Sequence, residues 1–326
     1  MIKVSVVVPI YGVEKFIFHC VESLMKQTMQ DIEYIFVNDA TLDKSMEVLQ
    51  SVLTSYPERR ENVRIIHHDK NKGLPAARNT GLAIATGEYV FHCDSDDYLE
   101  ANALEEMYLT AKQDNSDIVW CDWFLSYESN ERYMKQPSYK TSNEALISML
   151  SGGMKYNVWN KLVRRNLYKE NKITFPSGYG MGEDMTMIML MSYAKNISYL
   201  PKAFYHYVKT NTEAFSQTYS KRHLEDLQYN VTRIENFIIE KYGSKLEKEL
   251  NFFKLEAKFP FLISTKKEKY SLWSSWYPEA NKYIWENTNI SFRSKFIQIC
   301  ASHRLFWIVR LYNIFVVKII YGILYK

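Results

Sequence analysis

Cysteine is scarce in this chain, and its cysteines are far apart. The 326 residues include four, at Cys20, Cys93, Cys121 and Cys300, with no C-x-x-C spacing. This spread excludes a disulfide scaffold and a cysteine-rich zinc module, and it is typical of a protein in a reducing compartment. Because 47% of the residues are hydrophobic, a disordered protein is excluded as well.

Long uncharged apolar runs and internal repeats are also absent. The first apolar run ends at Pro9, and Glu14 and Lys15 follow, whereas a signal peptide needs ~7–15 apolar residues before a cleavage site. Near the C-terminus, Arg310 and Lys318 interrupt the apolar sequence, so no run approaches the ~18–20 residues of a spanning helix. We therefore expect a chain that is not exported and stays in the cytoplasm.

The net charge of +4 conceals an asymmetry along the chain. Residues 251–326 contain twelve basic and four acidic side chains, a balance of +8, which leaves −4 for residues 1–250. An acidic body with a basic, aromatic end argues against nucleic acid as a partner. It favours an anionic partner at the C-terminal end.

Strand and helix patterns alternate over residues 1–100. The predicted strands cover residues 4–8, 34–37, 63–66 and 89–92, and the predicted helices cover residues 16–29, 43–53 and 75–85. This alternation predicts an α/β fold with parallel strands, whose ligands lie beyond the carboxyl ends of the strands. Asp39 and Asp94 both follow such ends.

After residue 100 the pattern is looser. Strands are predicted at residues 118–124, 159–163, 198–200 and 204–208, and helices at residues 142–150 and 184–195. Gly178, Gly180 and Gly182 predict a loop before the second helix, and the pattern is mostly helical from residue 221. We therefore predict two regions, a nucleotide-binding and catalytic domain over 1–220 and a helical region over 221–326.

Three carboxylates lie within four positions at Asp94, Asp96 and Asp97. They repel one another unless a cation or hydrogen-bond donors compensate, and oxygen ligands at a strand end suit Mg²⁺ or Mn²⁺. The alternative is a turn that caps the next helix. Upstream, Gly73 begins a turn whose backbone donors suit an anion, and Arg78 offers a forked donor for phosphate or a nucleobase carbonyl. Taken alone, Arg78 also fits an exposed position on a surface helix.

Four stretches of the sequence stand out, at residues 6–11, 37–39, 73–79 and 87–97. In this order, they resemble the family 2 inverting glycosyltransferases of bacterial polysaccharide, capsule or lipopolysaccharide synthesis. The resemblance is strong over residues 1–100 and weaker to about residue 216. It implies a GT-A-type, Rossmann-like fold, with a mostly parallel sheet flanked by helices.

The resemblance also implies roles for single residues. Pro9 and Tyr11 would line the base pocket, with Tyr11 stacked on uracil. Asp39 would accept the base N–H, and Arg78 would contact the base or the diphosphate. These implied roles are those of a site for a UDP-sugar donor.

At the acidic segment, the resemblance implies that Asp94 holds the ribose, with Ser95 beside it in the donor site. Asp96, with Asp94 as a second ligand, would bind Mn²⁺ or Mg²⁺. His206 would be a further metal or phosphate ligand, or else a hydrogen-bonded strand histidine. We interpret His67 and His68 as part of a turn and not as a metal site.

The last implied role is that of the catalytic base. Asp184 occupies the family's position for it, and Glu183 is the second candidate. The alternative is that both acids only stabilise a helix N-terminus, an effect of ~0.3–1 kcal/mol.

Together these features predict inverting transfer of a sugar from a UDP-sugar to a hydroxyl of a glycan or lipid-linked glycan acceptor. The product would belong to a cell-surface polysaccharide. A sugar nucleotidyltransferase and a non-catalytic nucleotide-sugar-binding scaffold are the alternatives.

The C-terminal segment over residues 291–326 has a basic and aromatic amphipathic pattern. Lys295, Gln298, Ser302 and Asn313 fall in one sector of a helical wheel, with Arg310 next to them. Such a helix suits the surface of an anionic bilayer, so we expect a peripheral protein on the inner face of the cell membrane. An ordinary helix packed on the catalytic domain is the alternative.

Overall fold

The computed structural model describes residues 1–211 and 220–316. The chain divides into two compact units: unit 1 comprises residues 1–145 and 156–230, and unit 2 comprises residues 146–155 and the chain from residue 231. The division after residue 230 lies ten residues beyond the predicted boundary. The sequence pattern did not indicate that residues 146–155 belong with the C-terminal region.

Unit 1 contains the sheet and most of the helices that flank it. Its strands are β1 (Val4–Ile10), β2 (Ile32–Asn38), β3 (Val63–His67), β4 (Tyr89–His92), β5 (Tyr98–Leu99), β6 (Ile118–Ser126), β7 (Glu131–Met134), β8 (Lys161–Arg164) and β9 (Ile197–Val208). Its helices are α1 (Ile17–Met25), α2 (Ser45–Thr54), α3 (Leu74–Ile84), α4 (Ala103–Gln113), α6 (Arg165–Glu170) and α7 (Thr186–Met191).

Two further helices cross the division between the units. These are α5 (Ser142–Leu150) and α8 (Lys221–Tyr242). Unit 2 otherwise consists of helices and short 3₁₀ turns, and its α-helices are α9 (Glu247–Lys258), α10 (Lys267–Ser275), α11 (Phe292–Ser302) and α12 (Phe306–Asn313).

Within the described residues, nine strands form one mixed sheet. The order is β3-β2-β1-β4-β8-β6-β9-β5, with β7 paired to β6. The first four strands of this order are parallel to one another, so their carboxyl ends meet at one edge. Every residue of β1 is buried, as expected for a central strand covered on both faces. The prediction of an α/β fold is confirmed.

Three predicted elements between residues 184 and 208 have different bounds in the structure. The short strands predicted at 198–200 and 204–208 are one strand, β9, whose pairing with β6 shifts register near Asp122. The helix predicted over 184–195 begins as a 3₁₀ turn at Glu183–Met185 and continues only to Met191. A β-bulge and a helix terminus are features that residue periodicity specifies poorly.

The predicted amphipathic helix near the C-terminus is two helices, α11 and α12, separated at Arg304 by a backbone φ of 60°. The predicted polar sector does not face solvent as a whole, because Gln298 and Asn313 are buried. Asn313 donates hydrogen bonds to the carbonyls of Leu262 and Ser264. Residues 317–326 of the predicted segment lie outside the described residues.

All four cysteines are buried and free in the structure. None of the helices in the two described ranges is long and apolar enough to cross a membrane.

Helix α3 approaches β1 closely at a glycine. A Cβ added to Gly81 would lie 2.4 Å from Cγ1 of Val7, a separation that real side chains do not tolerate. This contact sets the position of α3 over the sheet, and α3 carries Arg78 and Asn79.

We expect Gly81→Ala to lower the free energy of unfolding by roughly 1–3 kcal/mol, because the added methyl group overpacks the contact with Val7. Urea unfolding followed by tryptophan fluorescence measures this change. In a Val7→Ala background, the same substitution should lower the free energy of unfolding by a smaller amount, since the smaller side chain leaves space for the added methyl group. Ala83→Ser, at an exposed position of α3, is the control. Equal costs in both backgrounds would contradict the close contact.

Candidate active site

The predicted site residues gather at the carboxyl edge of the parallel strands. Pro9 is buried in β1, and Tyr11 follows that strand with 51% of its surface exposed. Asp39 follows β2, and Asp94 follows β4. The parallel register of β1 with β2 and with β4 is what brings these distant positions to one edge.

Asp39 is buried and is held by the turn that precedes α3. Its Oδ1 accepts the backbone N–H of Lys72 at 2.8 Å and contacts Nδ1 of His68 at 2.6 Å, and its Oδ2 accepts the N–H of Gly73 at 2.8 Å. We expected the donors of this glycine turn to bind an external anion. That prediction is wrong, because the anion they bind is the carboxylate of Asp39.

Arg78 is at the centre of the site. Its side chain is 1% exposed, so the alternative of an exposed arginine on a surface helix is wrong. Nη2 donates to Oδ1 of Asp94 at 2.7 Å, and Nη1 donates to Oδ1 of Asp184 at 3.2 Å. Oε1 of Glu183 lies 3.8 Å from Nη2. The guanidinium also lies over the ring of Phe175, 5.5 Å from its centroid. One residue thus connects the predicted ribose ligand with the predicted base.

Glu183 and Asp184 are unusual acids in this position. Burial, followed by the charge of Asp184, raises the pKa of Glu183 to about 8. Burial also raises the pKa of Asp184, to about 6, although the charge of Arg78 opposes this shift. A carboxyl group with a pKa near 6 is ionised at neutral pH and remains more basic than an ordinary aspartate, as a general base requires.

The acidic segment after β4 divides into carboxylates with different surroundings. Asp97 accepts the N–H of Val208 at 2.8 Å and the hydroxyl of Tyr205 at 2.7 Å, which gives it a structural role. Oδ2 of Asp96 accepts a hydrogen bond from Asn211 at 2.7 Å. Burial and then the charge of Asp94 raise the pKa of Asp96.

The donor set fits a hard divalent cation bound together with substrate. In the described parts of the chain, no three His, Cys, Asp or Glu side chains form a metal-binding group. However, Mg²⁺ and Mn²⁺ sites commonly take one or two protein carboxylates and complete their shell with phosphate oxygens and water. Asp94 and Asp96 would meet that requirement, because burial and the charge of Asp94 raise the pKa of Asp96 and a divalent cation would offset both effects.

His206 lies in β9 with both ring nitrogens bonded. Nδ1 is 2.7 Å from Oε1 of Glu131, and Nε2 is 3.0 Å from Oε1 of Glu100. Its ring stacks between Tyr98 and Phe124, at centroid distances of 4.2 and 4.9 Å. This geometry matches the alternative of a hydrogen-bonded strand histidine, and we assign His206 no role as a ligand.

Several supporting residues had no predicted role. His68, which we interpreted only as part of a turn, bridges Asp39 and Oγ1 of Thr80, 2.9 Å from its Nε2. Lys161 is buried, and burial lowers its pKa to about 7 while the charge of Asp184 opposes this shift. Its Nζ donates to the carbonyl of Asn157 at 2.7 Å and to Oδ1 of Asn160 at 2.8 Å, and residue periodicity does not indicate these contacts.

Residues 5–185 match the family described as Glycosyl transferase family 2, which is more than half of the 326 residues. The chain belongs to glycosyl transferase family 2. The matched range contains every predicted site residue except His206. Membership of this family identifies the protein as a glycosyltransferase and not as the sugar nucleotidyltransferase that we kept as an alternative.

Two glycosyltransferases from Bacillus species are similar to this chain over two thirds of its length or more. The chain is 29% identical over 273 residues to the uncharacterized glycosyltransferase EpsJ of Bacillus subtilis (strain 168), with 80% of this chain and 77% of EpsJ covered. It is 35% identical over 223 residues to a poly(ribitol-phosphate) beta-glucosyltransferase of Bacillus spizizenii, with 67% of this chain covered but only 34% of that protein.

Solved structures show the same fold. TarS 1–349 of S. aureus, in complex with UDP-GlcNAc, matches with a TM-score of 0.67 at 22% identity, over 100% of this chain and 93% of TarS 1–349. The mannosyltransferase PcManGT of Pyrobaculum calidifontis, in complex with GDP-Man and Mn²⁺, matches with a TM-score of 0.52 at 16% identity, over 94% and 87% of the two chains. The predicted GT-A-type fold is confirmed.

The raised pKa of Glu183 predicts a pH-dependent effect on stability. Because this pKa rises from its ordinary value of 4.5 to about 8 on folding, the folded state holds a proton that the unfolded chain releases. The stabilisation from that proton is complete below pH ~4.5 and is lost as the pH rises towards ~8. Glu183→Gln removes this dependence. Its melting temperature relative to the unchanged protein should therefore rise by several degrees between pH 5 and pH 8.

Thermal unfolding at pH 5, 6.5 and 8, without nucleotide or metal, measures this difference. Glu61→Gln, at an exposed position, is the control and should show a pH-independent difference. A constant difference for Glu183→Gln as well would show that Glu183 is not protonated in the folded state.

Proposed function

We propose that this enzyme transfers a sugar from a UDP-sugar to a hydroxyl of a glycan or lipid-linked glycan, with inversion at the anomeric carbon. The observation that carries the proposal is the buried Arg78 guanidinium, which bonds Asp94 on one side and Asp184 on the other. This arrangement suits a donor held at Asp94 and a base placed beside it.

In the proposed reaction, Asp184 removes the proton from the acceptor hydroxyl as that oxygen attacks the anomeric carbon. The bond between the anomeric carbon and the diphosphate oxygen breaks on the opposite face, and its electron pair leaves with the nucleoside diphosphate. A single in-line displacement of this kind inverts the configuration. The pKa of about 6 for Asp184 lets it accept the proton at neutral pH and release it to solvent afterwards.

The nucleotide would bind along the carboxyl ends of β1, β2 and β4. Tyr11 is exposed enough to stack on a base, with Pro9 beside it. Asp39 is fixed by its bonds to Lys72 and Gly73, and a carboxylate has lone pairs for a further donor such as a uracil N–H. The ribose would lie at Asp94, with Ser95 beside it.

The proposal of a UDP-sugar is supported by the neighbouring TarS structure, which contains UDP-GlcNAc, whereas PcManGT contains GDP-Man. One relative is named for a poly(ribitol-phosphate) acceptor, which supports a polymer that bears hydroxyl groups as the acceptor class here.

Asp94 and Asp96 would hold the Mn²⁺ or Mg²⁺ ion. When bound, a divalent cation supplies positive charge next to the diphosphate that departs. The Mn²⁺ in the complex of PcManGT supports this assignment.

The central test of this mechanism is Asp184→Asn. Turnover should fall roughly 10²- to 10⁴-fold, which is the usual contribution of a positioned general base. UDP binding should persist, because Asp184 faces the acceptor and not the nucleotide. UDP release from a UDP-sugar measures turnover, and calorimetry measures binding.

Asp69→Asn, at an exposed aspartate, is the matched control and should leave both quantities unchanged. If Asp184→Asn retained turnover within a few-fold of the unchanged enzyme, the base would be Glu183 or another group.

We also propose that unit 2 docks on an anionic membrane surface. Helices α11 and α12 expose four large apolar side chains, at 71% for Phe292, 44% for Phe296, 64% for Trp307 and 58% for Leu311, and Phe315, just after α12, is 57% exposed. We call these five residues the apolar surface. Aromatic side chains of this kind favour the interface between lipid headgroups and acyl chains.

The charge of the same segment favours an anionic partner. Residues 287–316 contain no Asp or Glu, whereas Arg293, Lys295, Arg304 and Arg310 are basic. Basic residues near an anionic bilayer contribute ~1 kcal/mol each. The proposed surface replaces the one that we predicted from the helical wheel, since Gln298 and Asn313 are buried.

We expect Phe292→Ser/Trp307→Ser/Leu311→Ser to reduce binding to vesicles that contain anionic phosphatidylglycerol by more than about tenfold, since each buried large apolar side chain contributes ~1.5–3 kcal/mol. Co-sedimentation measures the bound fraction. We prefer substitution to truncation, because Asn313 bonds the chain at Leu262 and Ser264 and removing it would disturb unit 2.

The control replaces three exposed apolar residues of unit 1, as Phe18→Ser/Leu42→Ser/Leu109→Ser. This variant should bind the vesicles like the unchanged protein. Equal binding by both triple variants, or no binding by the unchanged protein, would contradict membrane docking through the apolar surface.

A further inference from the structure

A loop over residues 175–184 carries the proposed base at its end. Its polar backbone groups cannot pair with a neighbouring strand, because the loop lies outside the sheet. Buried backbone groups require partners. In this loop side chains supply many of them, and the side chain of Asn79 supplies two partners at its start.

Asn79 lies in α3, directly after Arg78, and its side-chain amide pairs with the start of the loop. Nδ2 donates to the carbonyl of Phe175 at 2.8 Å and to Oγ of Ser177 at 3.0 Å, and Oδ1 accepts the N–H of Phe175 at 2.8 Å. The amide thus pairs with both backbone groups of one residue, as a neighbouring strand would. Both of its donor hydrogens are used.

Phe175 links this pairing to the charged centre of the site. Its ring lies under the guanidinium of Arg78, with 5.5 Å between the guanidinium carbon and the ring centroid, and packs edge-to-face on His92 at 5.0 Å. Arg78 in turn donates to Asp184 at 3.2 Å. A displacement of Phe175 would therefore move the aromatic ring against which the guanidinium of Arg78 packs.

The later part of the loop is held from α8, within unit 1. Asn230 donates to the carbonyls of Tyr179 and Met181 at 3.2 and 3.0 Å. Asp226 accepts the N–H of Gly180 at 3.0 Å. Asn79 and the pair on α8 thus hold different parts of the loop, and Asn79 connects it to the helix that carries Arg78.

We propose that Asn79 is a positioning residue for Asp184, because it fixes the start of the loop over residues 175–184 to α3, the helix that carries Arg78. This inference rests on the proposed function, in which Asp184 is the base. The hydrogen bonds of the Asn79 side chain go to Phe175 and Ser177, and the proposed function assigns neither of these residues to the donor or the acceptor.

The test compares Asn79→Ala with the unchanged enzyme in UDP release, UDP affinity and amide hydrogen exchange. We expect turnover per folded protein to fall roughly 10- to 100-fold, with UDP affinity within about threefold, since a 1 Å misplacement of a catalytic group costs about 10²-fold. Exchange over residues 174–186 should become faster. Correction by the folded fraction, from thermal unfolding, separates this effect from simple destabilisation.

Three variants serve as comparisons. Ser177→Ala removes one of the three hydrogen bonds and keeps the pairing with Phe175, so its turnover should stay near that of the unchanged enzyme. Asn79→Asp can accept a hydrogen bond from the N–H of Phe175 but cannot donate one to its carbonyl, so turnover should fall. In case Asn79→Ala does not fold, Asn79→Asp is the variant that tests the proposal. Asn171→Ala removes one local bond to Leu167 in α6 and is the control for a lost asparagine.

Two results would overturn the proposal. If turnover per folded protein were unchanged while stability fell, the role of Asn79 would be structural only. If UDP affinity fell in parallel with turnover, Asn79 would act on the nucleotide. If the unchanged enzyme released UDP from no UDP-sugar, the proposed function would fail, and exchange over residues 174–186 would still decide whether Asn79 holds the loop.

Discussion

The site depends on one buried guanidinium. Arg78 is removed from solvent and surrounded by Asp94, Glu183 and Asp184, and the ring of Phe175 covers one of its faces. A buried charge is costly unless it is paired with good geometry, so the carboxylates must stay near Arg78 for the fold to tolerate it. The same requirement keeps Asp94 and Asp184 on either side of one guanidinium.

The carboxylates are not fully compensated by Arg78. Burial raises the pKa of Glu183, Asp184 and Asp96, so the charged forms of these three groups are disfavoured in the folded protein. In the proposed reaction, a divalent cation bound with the donor would offset the repulsion between these carboxylates and the negatively charged diphosphate.

The sequence predicts the scaffold and the identity of the polar residues better than it predicts their partners. Alternation of strands and helices places Asp39 and Asp94 at one sheet edge, because parallel strands share that edge. By contrast, two features depend on contacts between segments distant in the chain. One is the hydrogen bonding of Asp39 to the N–H groups of Lys72 and Gly73. The other is the burial of Gln298 in α11. Local periodicity does not encode such pairings, and for the same reason Asn79 has no role that its motif reveals.

In the proposed function, the site breaks the bond between a sugar and UDP. The most direct measurement is nucleotide release from a panel of UDP-, GDP- and dTDP-sugars with Mn²⁺, alongside pyrophosphate release from UTP and a sugar 1-phosphate. The account predicts UDP release from at least one UDP-sugar, and no pyrophosphate release. Pyrophosphate release without UDP release would contradict it in favour of a nucleotidyltransferase, and release of neither product would favour a binding scaffold.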